Sequence, residues 1–275
     1  MDVSKIATNL QKGLDGIWVS RNPEQVSYPE WGNAWAFEIE NESYWFQHRN
    51  HCITTVMNNF PPPGALFDIG GGNGFVASAL QTTGRDVVVL EPGEIGARNA
   101  KDRGISSVIR STFEAAGFVN NSIPAVGLFD VVEHIEDDTG FLEALRSAMV
   151  VGGRLYLTVP AYDFLWSAAD DLAHHYRRYA ISQLDRKLRR TGFAVEFATY
   201  IFAALIIPIF VFRALPRKLG VTISVFLEKE KQIHRMPAGV MGNLLRHSFD
   251  AELALLRRKR TIPFGGSCLV VARKR

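Results

Sequence analysis

The sequence predicts an α/β protein built on a doubly wound, mostly parallel sheet, and three observations carry that expectation. A short apolar run, Ala65 to Ile69, is followed by Gly70-Gly71-Gly72-Asn73-Gly74 and then by the helical pattern Phe75-Val76-Ala77-Ser78-Ala79-Leu80. Strand, glycine turn and helix start form the arrangement that brings backbone N–H groups against a nucleotide-like ligand. A second apolar run, Asp86 to Glu91, ends in a carboxylate roughly 20 residues after the glycines, where an acid can accept both hydroxyls of a ribose. Strand and helix patterns then alternate as far as Pro160, as a parallel sheet with crossover helices requires.

The elements follow in order. Residues 1 to about 30 are irregular, with Gly13, Gly16, Pro23 and Pro29. An aromatic-rich stretch, Trp31 to Phe46, leads into a helix over Phe46 to Asn59, which Pro61-Pro62-Pro63 closes. These aromatics either pack that helix onto the sheet edge or form a lid over a ligand. After the second strand, Pro92-Gly93 turns the chain into a helix, Ile95 to Arg103, closed by Gly104. Ser107 to Arg110 reads as a third strand, with Thr112-Phe113-Glu114 beyond it. Ile123 to Asp130 reads as a fourth, running into Val131-Val132-Glu133-His134-Ile135-Glu136-Asp137-Asp138. In an open parallel sheet ligands bind beyond the carboxyl ends of the strands at the switch point, which places this loop beside the chemistry. His134 is its sharpest residue, either a general base with Glu133 beside it or a structural clip.

Thr139 to Val150 is an amphipathic helix, and Gly152-Gly153 turns into a fifth strand, Arg154 to Pro160. Ala161 to Tyr179 has aromatics, acids, two histidines and two arginines but little periodicity, which suits a functional loop. Its Trp166, His175, Tyr176 and Arg177 could wall an acceptor site; alternatively Asp170 or Asp171 pairs with Arg177 or Arg178 as a staple. Ser182 caps a helix, Gln183 to Arg190, and Phe193 to Thr199 is a sixth strand. The uncharged run Ala198 to Phe212 is shorter than the roughly 20 residues of a spanning helix. It reads either as a buried helix or pocket wall, or as an interfacial helix making a peripheral membrane contact through 201–215, with Arg213, Arg217 and Lys218 just after it. A helix over Gly239 to Lys259 and a final strand, Ile262 to Ala272, complete the chain.

Composition bounds the function. At 275 residues and 47% hydrophobic content, one domain with insertions is the simplest organisation. A net charge of +3 and the lack of basic stripes point away from nucleic acid. Cys52 and Cys268 lie far apart without metal-ligand spacing, and the N-terminus has no apolar signal segment, so a reduced, cytoplasmic protein is expected.

The Asp68-Ile69-Gly70-Gly71-Gly72-Asn73-Gly74 segment matches every fixed position of Asp-x-Gly-x-Gly-x-Gly, the first motif of the class I S-adenosylmethionine-dependent methyltransferases. The dinucleotide fingerprint is spaced differently, as G-x-G-x-x-G, which disfavours an NAD-type oxidoreductase. The chain resembles the bacterial type 11, 12 and 23 groups of that family over about residues 38 to 275. The resemblance implies S-adenosylmethionine as cofactor and S-adenosylhomocysteine as product. Asp68 and the glycine backbone would receive the methionine end, with Glu91 and Pro92 at the ribose, Phe113 and Glu114 at the adenine, and Asp130 nearby. Glu42 to Asn50 resembles an acid-x-x-aromatic-Trp-Phe-x-x-Arg signature, which implies that Trp45 and Arg49 face the cofactor and that Arg49 meets its carboxylate. In ubiquinone-type O-methyltransferases the acids and histidine of the fourth-strand loop can hold a divalent metal; Asp130 here replaces the expected glutamate, and no metal ligand is assigned. The segment from Pro160 to Tyr179 resembles that of a bacterial group associated with envelope glycan or lipid genes. The resemblance implies a seven-stranded sheet whose last strand inserts antiparallel beside the fifth. It divides the chain into a cap (1–60), a cofactor-binding core (61–200), a helical insertion (201–260) and a final core strand (261–275). The implied acceptor is a small-molecule, glycan or lipid-linked hydroxyl or amine. The competing reading is a non-catalytic S-adenosylmethionine-binding or membrane-associated protein with the same fold.

Overall fold

The computed structural model describes residues 3–22, 30–220 and 234–275. Its centre is the run of buried apolar strands expected from the sequence: β3 (Leu66–Ile69), β4 (Val87–Leu90), β5 (Ser107–Arg110), β6 (Ile123–Phe129) and β7 (Met149–Pro160). Each is apolar on both faces, as a sheet covered on two sides requires. β4 and β6 flank β3, β5 lies outside β4 and β7 outside β6, all parallel. The antiparallel strand β9 (Ser267–Lys274) inserts between β7 and β8 (Phe193–Ile201), as expected for the last strand.

Helices cover both faces. One face holds α2 (Tyr44–Asn59), α3 (Phe75–Gln81), α4 (Glu94–Asp102) and α11 (Gly239–Arg257), packed through Ile53, Val76, Ala97 and Leu253. The other holds α5 (Phe113–Ala116), α6 (Asp138–Ala148) and α8 (Ile181–Arg190), packed through Phe113, Leu145 and Leu184. The short helix α7 (Ala168–Leu172) lies in the loop after β7.

Four local expectations change. The irregular N-terminal segment contains a hairpin, β1 (Leu10–Lys12) and β2 (Trp18–Ser20), and β2 pairs parallel with β5. Among the described residues the sheet therefore has nine strands, seven of them in the expected arrangement. The first half of the aromatic stretch is a helix, α1 (Glu30–Ile39). Gly152-Gly153 lies within β7, which starts at Met149. Ala180, and not Ser182, caps α8, because the Gln183 side chain reaches back to the Ala180 N–H at 2.9 Å.

The uncharged run is exposed on one side. After Phe202, a helical path runs through α9 (Ile206–Ile209), a π-turn (Phe210–Ala214) and α10 (Leu215–Lys218). Leu205 and Ala214 are buried beneath it, while Ile207 and Phe212 point outward, which overturns the expectation of a buried helix. Among the described residues no helix is long and apolar enough to cross a membrane.

Candidate active site

The glycine turn sits at the carboxyl end of β3. Gly70 has φ +67° and packs so closely on the next loop that a Cβ would lie 2.8 Å from Val131 Cγ2. This contact seats the loop after β6 against the turn. Gly72 has φ +52°, a conformation side chains rarely adopt, and its N–H donates to Glu91 Oε2 at 2.8 Å. Gly74 begins α3, and Gly71 lies over the Asp68 carboxyl.

Asp68 is buried, and its Oδ2 has no hydrogen-bond partner. Burial holds its carboxyl up at about 7; the Arg49 guanidinium opposes this and Glu91 adds to it. A buried carboxylate oxygen without a donor is a site prepared for one. The residues therefore fit a ligand bearing an ammonium group at the turn and a diol at Glu91.

The Glu91 carboxylate is already in use. Besides Gly72 it accepts from the Gly93 N–H at 2.9 Å and from Asn33 Nδ2 at 3.4 Å. Asn33 comes from α1, and its carbonyl accepts from Asn73 Nδ2 at 2.8 Å. Asn73 also reaches Glu40, whose carboxylate is bridged by Arg103 at 2.7 Å, and Arg103 lies over the Phe37 ring. The α1 segment is thus latched across the glycine turn. Asn33 had no signal in the sequence: one asparagine among aromatics carries no pattern. Pro92 is half-buried at the turn after Glu91.

One expected cofactor contact sits elsewhere, and another is already paired within the protein. Phe113 is buried between Phe118 and Phe141, with ring centroids at 5.4 and 5.8 Å, so its ring serves the core and is no stacking platform. Arg49 is paired with Asp130 and stacks on Trp45 at 4.9 Å, so its guanidinium meets a protein carboxylate where a ligand carboxylate was expected. Trp45 in turn stacks on Phe202 at 5.3 Å. Glu114 is exposed in the first turn of α5.

Asp130 closes β6 at φ +60° and also accepts from Thr158 Oγ1 at 3.0 Å. Beyond it, Glu133 is buried with its Oε2 unpartnered, and burial with the nearby Asp130 raises its carboxyl well above the usual range. Burial and the neighbouring His175 hold His134 down at about 4, against the pull of Asp130. His134 is therefore a neutral imidazole at pH 7, and protonating it there costs about 4 kcal/mol.

The loop after β7 folds back onto this one. The Tyr176 N–H donates to the Glu133 carbonyl at 2.8 Å, and the His175 ring stands edge-on to His134 at 4.7 Å. His175 Nδ1 lies 2.9 Å from Asp170 Oδ1. Asp170 is buried, bridged by Arg178 at 2.8 and 2.9 Å and bonded by Ser167. Burial alone would raise the Asp170 carboxyl, but the bonds from His175 and Arg178 outweigh it and hold it well below the usual carboxylate range. The expected staple is thus Asp170 to Arg178, and the same carboxylate orients His175. Arg177 instead bridges Asp138 on α6 at 2.8 Å, Trp166 donates to Asp171 at 2.8 Å, and the Tyr176 ring is exposed.

Glu133, His134 and His175 each offer a donor atom within 4.8 Å of the others. Asp130 is committed to Arg49 and Thr158 and does not join this group. His48, Cys52 and Glu252 form a second such group, but Glu252 is consumed by the Phe202 and Ala203 N–H groups at 2.9 and 2.6 Å and by His48 at 2.9 Å.

Residues 30–197 match the family model of a methyltransferase domain. The chain is 24% identical over 161 residues to the ubiquinone biosynthesis O-methyltransferase of Xanthomonas axonopodis pv. citri (strain 306), covering 51% of this chain and 67% of that protein. Among solved structures it is similar to Haemonchus contortus phosphoethanolamine N-methyltransferase 2 in complex with S-adenosyl-L-methionine, with TM-score 0.55, 16% identity, and coverage of 91% of this chain and 58% of that one. It is also similar to the [4+2]-cyclase SpnF, with TM-score 0.52, 16% identity, and coverage of 84% and 83%. At such identities the likeness is one of fold, and the cyclase illustrates that this fold hosts more than one reaction.

Proposed function

Because the chain belongs to the methyltransferase-domain family, we propose that it is an S-adenosylmethionine-dependent methyltransferase acting on a hydroxyl or amine of a small-molecule, glycan or lipid-linked acceptor. The observation that carries the cofactor is the buried, unpartnered Asp68 Oδ2 beneath the glycine turn, with Glu91 at the next strand end. Asp68 would hold the ammonium of the methionine moiety, and Glu91 would hold the ribose diol once Asn33 gives way. The bound cofactor supplies a methyl group activated by departure of a neutral thioether.

The protein's own work is then mostly positioning. Gly70 against Val131 fixes where the β6 loop approaches the cofactor. For a hydroxyl acceptor a base is needed, and His175 is better placed to carry a proton than His134. Its Nδ1 is held by a buried carboxylate, so the imidazolium has a counter-charge 2.9 Å away. His134, disfavoured as a cation by burial and by His175, stands edge-on to that ring as an uncharged neighbour. The acceptor proton would pass to His175 Nε2, leaving Asp170 ionised behind it. The Tyr176 ring is exposed next to His175, and Arg177 ties the loop to α6 through Asp138.

Isothermal titration with S-adenosylmethionine and S-adenosylhomocysteine, with NAD as control, tests the cofactor. Micromolar binding of the first two and none of NAD is expected, and Asp68→Ala should abolish it. Equal affinity in the Asp68 variant would move the site elsewhere.

A further inference from the structure

We propose that the helical run from Ile206 to Lys218 is an interfacial anchor that lays this protein on an anionic bilayer surface. From Ile206 to Phe212 the run is apolar on both sides. Its underside is committed to the core through Leu205, Ile209 and Ala214. Its outer side presents Ile207, Val211 and Phe212, with Ile207 74% and Phe212 72% exposed, and Leu219 70% exposed just beyond its end. No charged residue occurs between Ala198 and Phe212. Large apolar side chains grouped on one exposed face, rather than scattered singly, mark a surface that meets something apolar.

Charge identifies the partner. Arg213, Arg217 and Lys218 follow the apolar face directly, with Lys218 held over the Phe210 ring at 5.6 Å and Arg217 bonded to Asp171 at 2.6 Å. The bias extends well beyond this helix. Residues 198–275 hold fourteen Lys and Arg against four Asp and Glu, a net of +10, whereas residues 1–197 carry a net of −7. These charges are spread over the fold: Lys259 lies over the Phe60 ring, and Arg273 and Lys274 sit beside the start of β8, so the basic residues next to the apolar face are Arg213, Arg217 and Lys218. Apolar residues to insert and basic residues to meet acidic headgroups are the two ingredients of an interfacial helix. The helix also touches the loop proposed to wall the acceptor site: Phe164 meets Phe210 at 6.1 Å, and Asp171 holds Arg217. A protein docked on this face would hold that loop at the bilayer surface, where a lipid-linked acceptor would be found.

The test is co-sedimentation of the full chain, without cofactor or acceptor, with phosphatidylcholine vesicles and with vesicles containing 30% phosphatidylglycerol. This reads the surface independently of whether the methyl-transfer reading holds. Binding to the anionic vesicles is expected to exceed binding to neutral ones about tenfold and to weaken severalfold between 0.1 and 0.5 M salt. The double variant Ile207→Asp, Phe212→Asp should lose at least tenfold of that binding while keeping the wild-type circular dichroism spectrum and cofactor affinity. Equal binding of the two vesicle types, undiminished binding by the folded double variant, or a wild-type dimer that ignores vesicles and dissociates in the variant would overturn the proposal.

Discussion

Asp68 is a carboxyl that the fold keeps partly protonated, and this makes its site pH-dependent. Relative to an unfolded value near 3.8, a native value of about 7 means the folded chain binds the extra proton between those limits. That contribution to stability is complete below about pH 4 and is lost as the pH rises through 7. Cofactor binding should run the opposite way, because an ammonium ligand prefers the ionised carboxylate. The dissociation constant for S-adenosylmethionine should be about tenfold weaker at pH 6 than at pH 8. Calorimetry in buffers of different ionisation enthalpy should also register proton release on binding at pH 6.5. A flat pH profile would mean that Asp68 does not meet the ammonium.

The two histidines make a second test at this scale. His175→Gln should lower kcat at least a hundredfold with little change in cofactor affinity, whereas His134→Gln should lower it less than tenfold. The reverse order, read from initial rates on any accepted hydroxyl substrate, would return the base to His134. Which residues were legible in sequence follows from how local each interaction is. Asp68, the glycines and Glu91 form one strand-turn-helix unit with the following strand end, so their spacing already predicted that they would lie together. Phe113 could not be placed from its neighbours, because its burial is decided by Phe118 and by Phe141 in another element. Asp170 with His175 and Arg178 was visible only as a choice among acids and arginines, since selecting the pair requires the register of the folded loop.

Elements were read best where a single period dominated. The four-residue strands β3, β4 and β5 stand out as apolar blocks, whereas β1 and β2, three residues each, are too short to show alternation and exist only because β5 offers an edge. Helix α1 was obscured by its aromatics and Gly32, and it owes its position to Glu40, Arg103 and Asn73 rather than to propensity. One side chain, Glu252, hydrogen-bonds across α2, α11 and the chain leaving β8: it accepts from His48 and from the Phe202 and Ala203 N–H groups while buried. Glu252→Ala would strand those donors and should cost about 3 kcal/mol, measured as a lower denaturation midpoint in urea. An unchanged midpoint would mean that water replaces the carboxylate.

At the scale of the whole molecule, the helical insertion and the two-stranded N-terminal hairpin are additions at opposite ends of one sheet order, with β1 and β2 beyond β5 and the insertion leaving β8. The central seven strands were legible because the resemblance covers them and every strand lies between recognisable turns. The uneven distribution of charge was equally present in the sequence, but the overall figure of +3 hid it. Only the fold shows which of these charges lie beside the uncharged run, where Ile207 and Phe212 turn outward.

The latch of α1 over the glycine turn sets a clock. While Asn33 lies on Glu91 and its carbonyl accepts from Asn73, the carboxylate proposed to take the ribose is covered, so under that proposal a ligand enters only in the fraction of time that α1 is lifted. The observed rate of cofactor association in stopped-flow fluorescence should then level off at high ligand concentration, at the opening rate of the helix. Asn33→Ala, which removes one hold on Glu91, should raise that plateau and tighten the apparent affinity by enlarging the competent fraction. A rate that climbs linearly with concentration in both proteins would show a door that is always open. If the plateau is present, the speed at which this protein charges itself with cofactor is governed by a helix outside the sheet and not by diffusion.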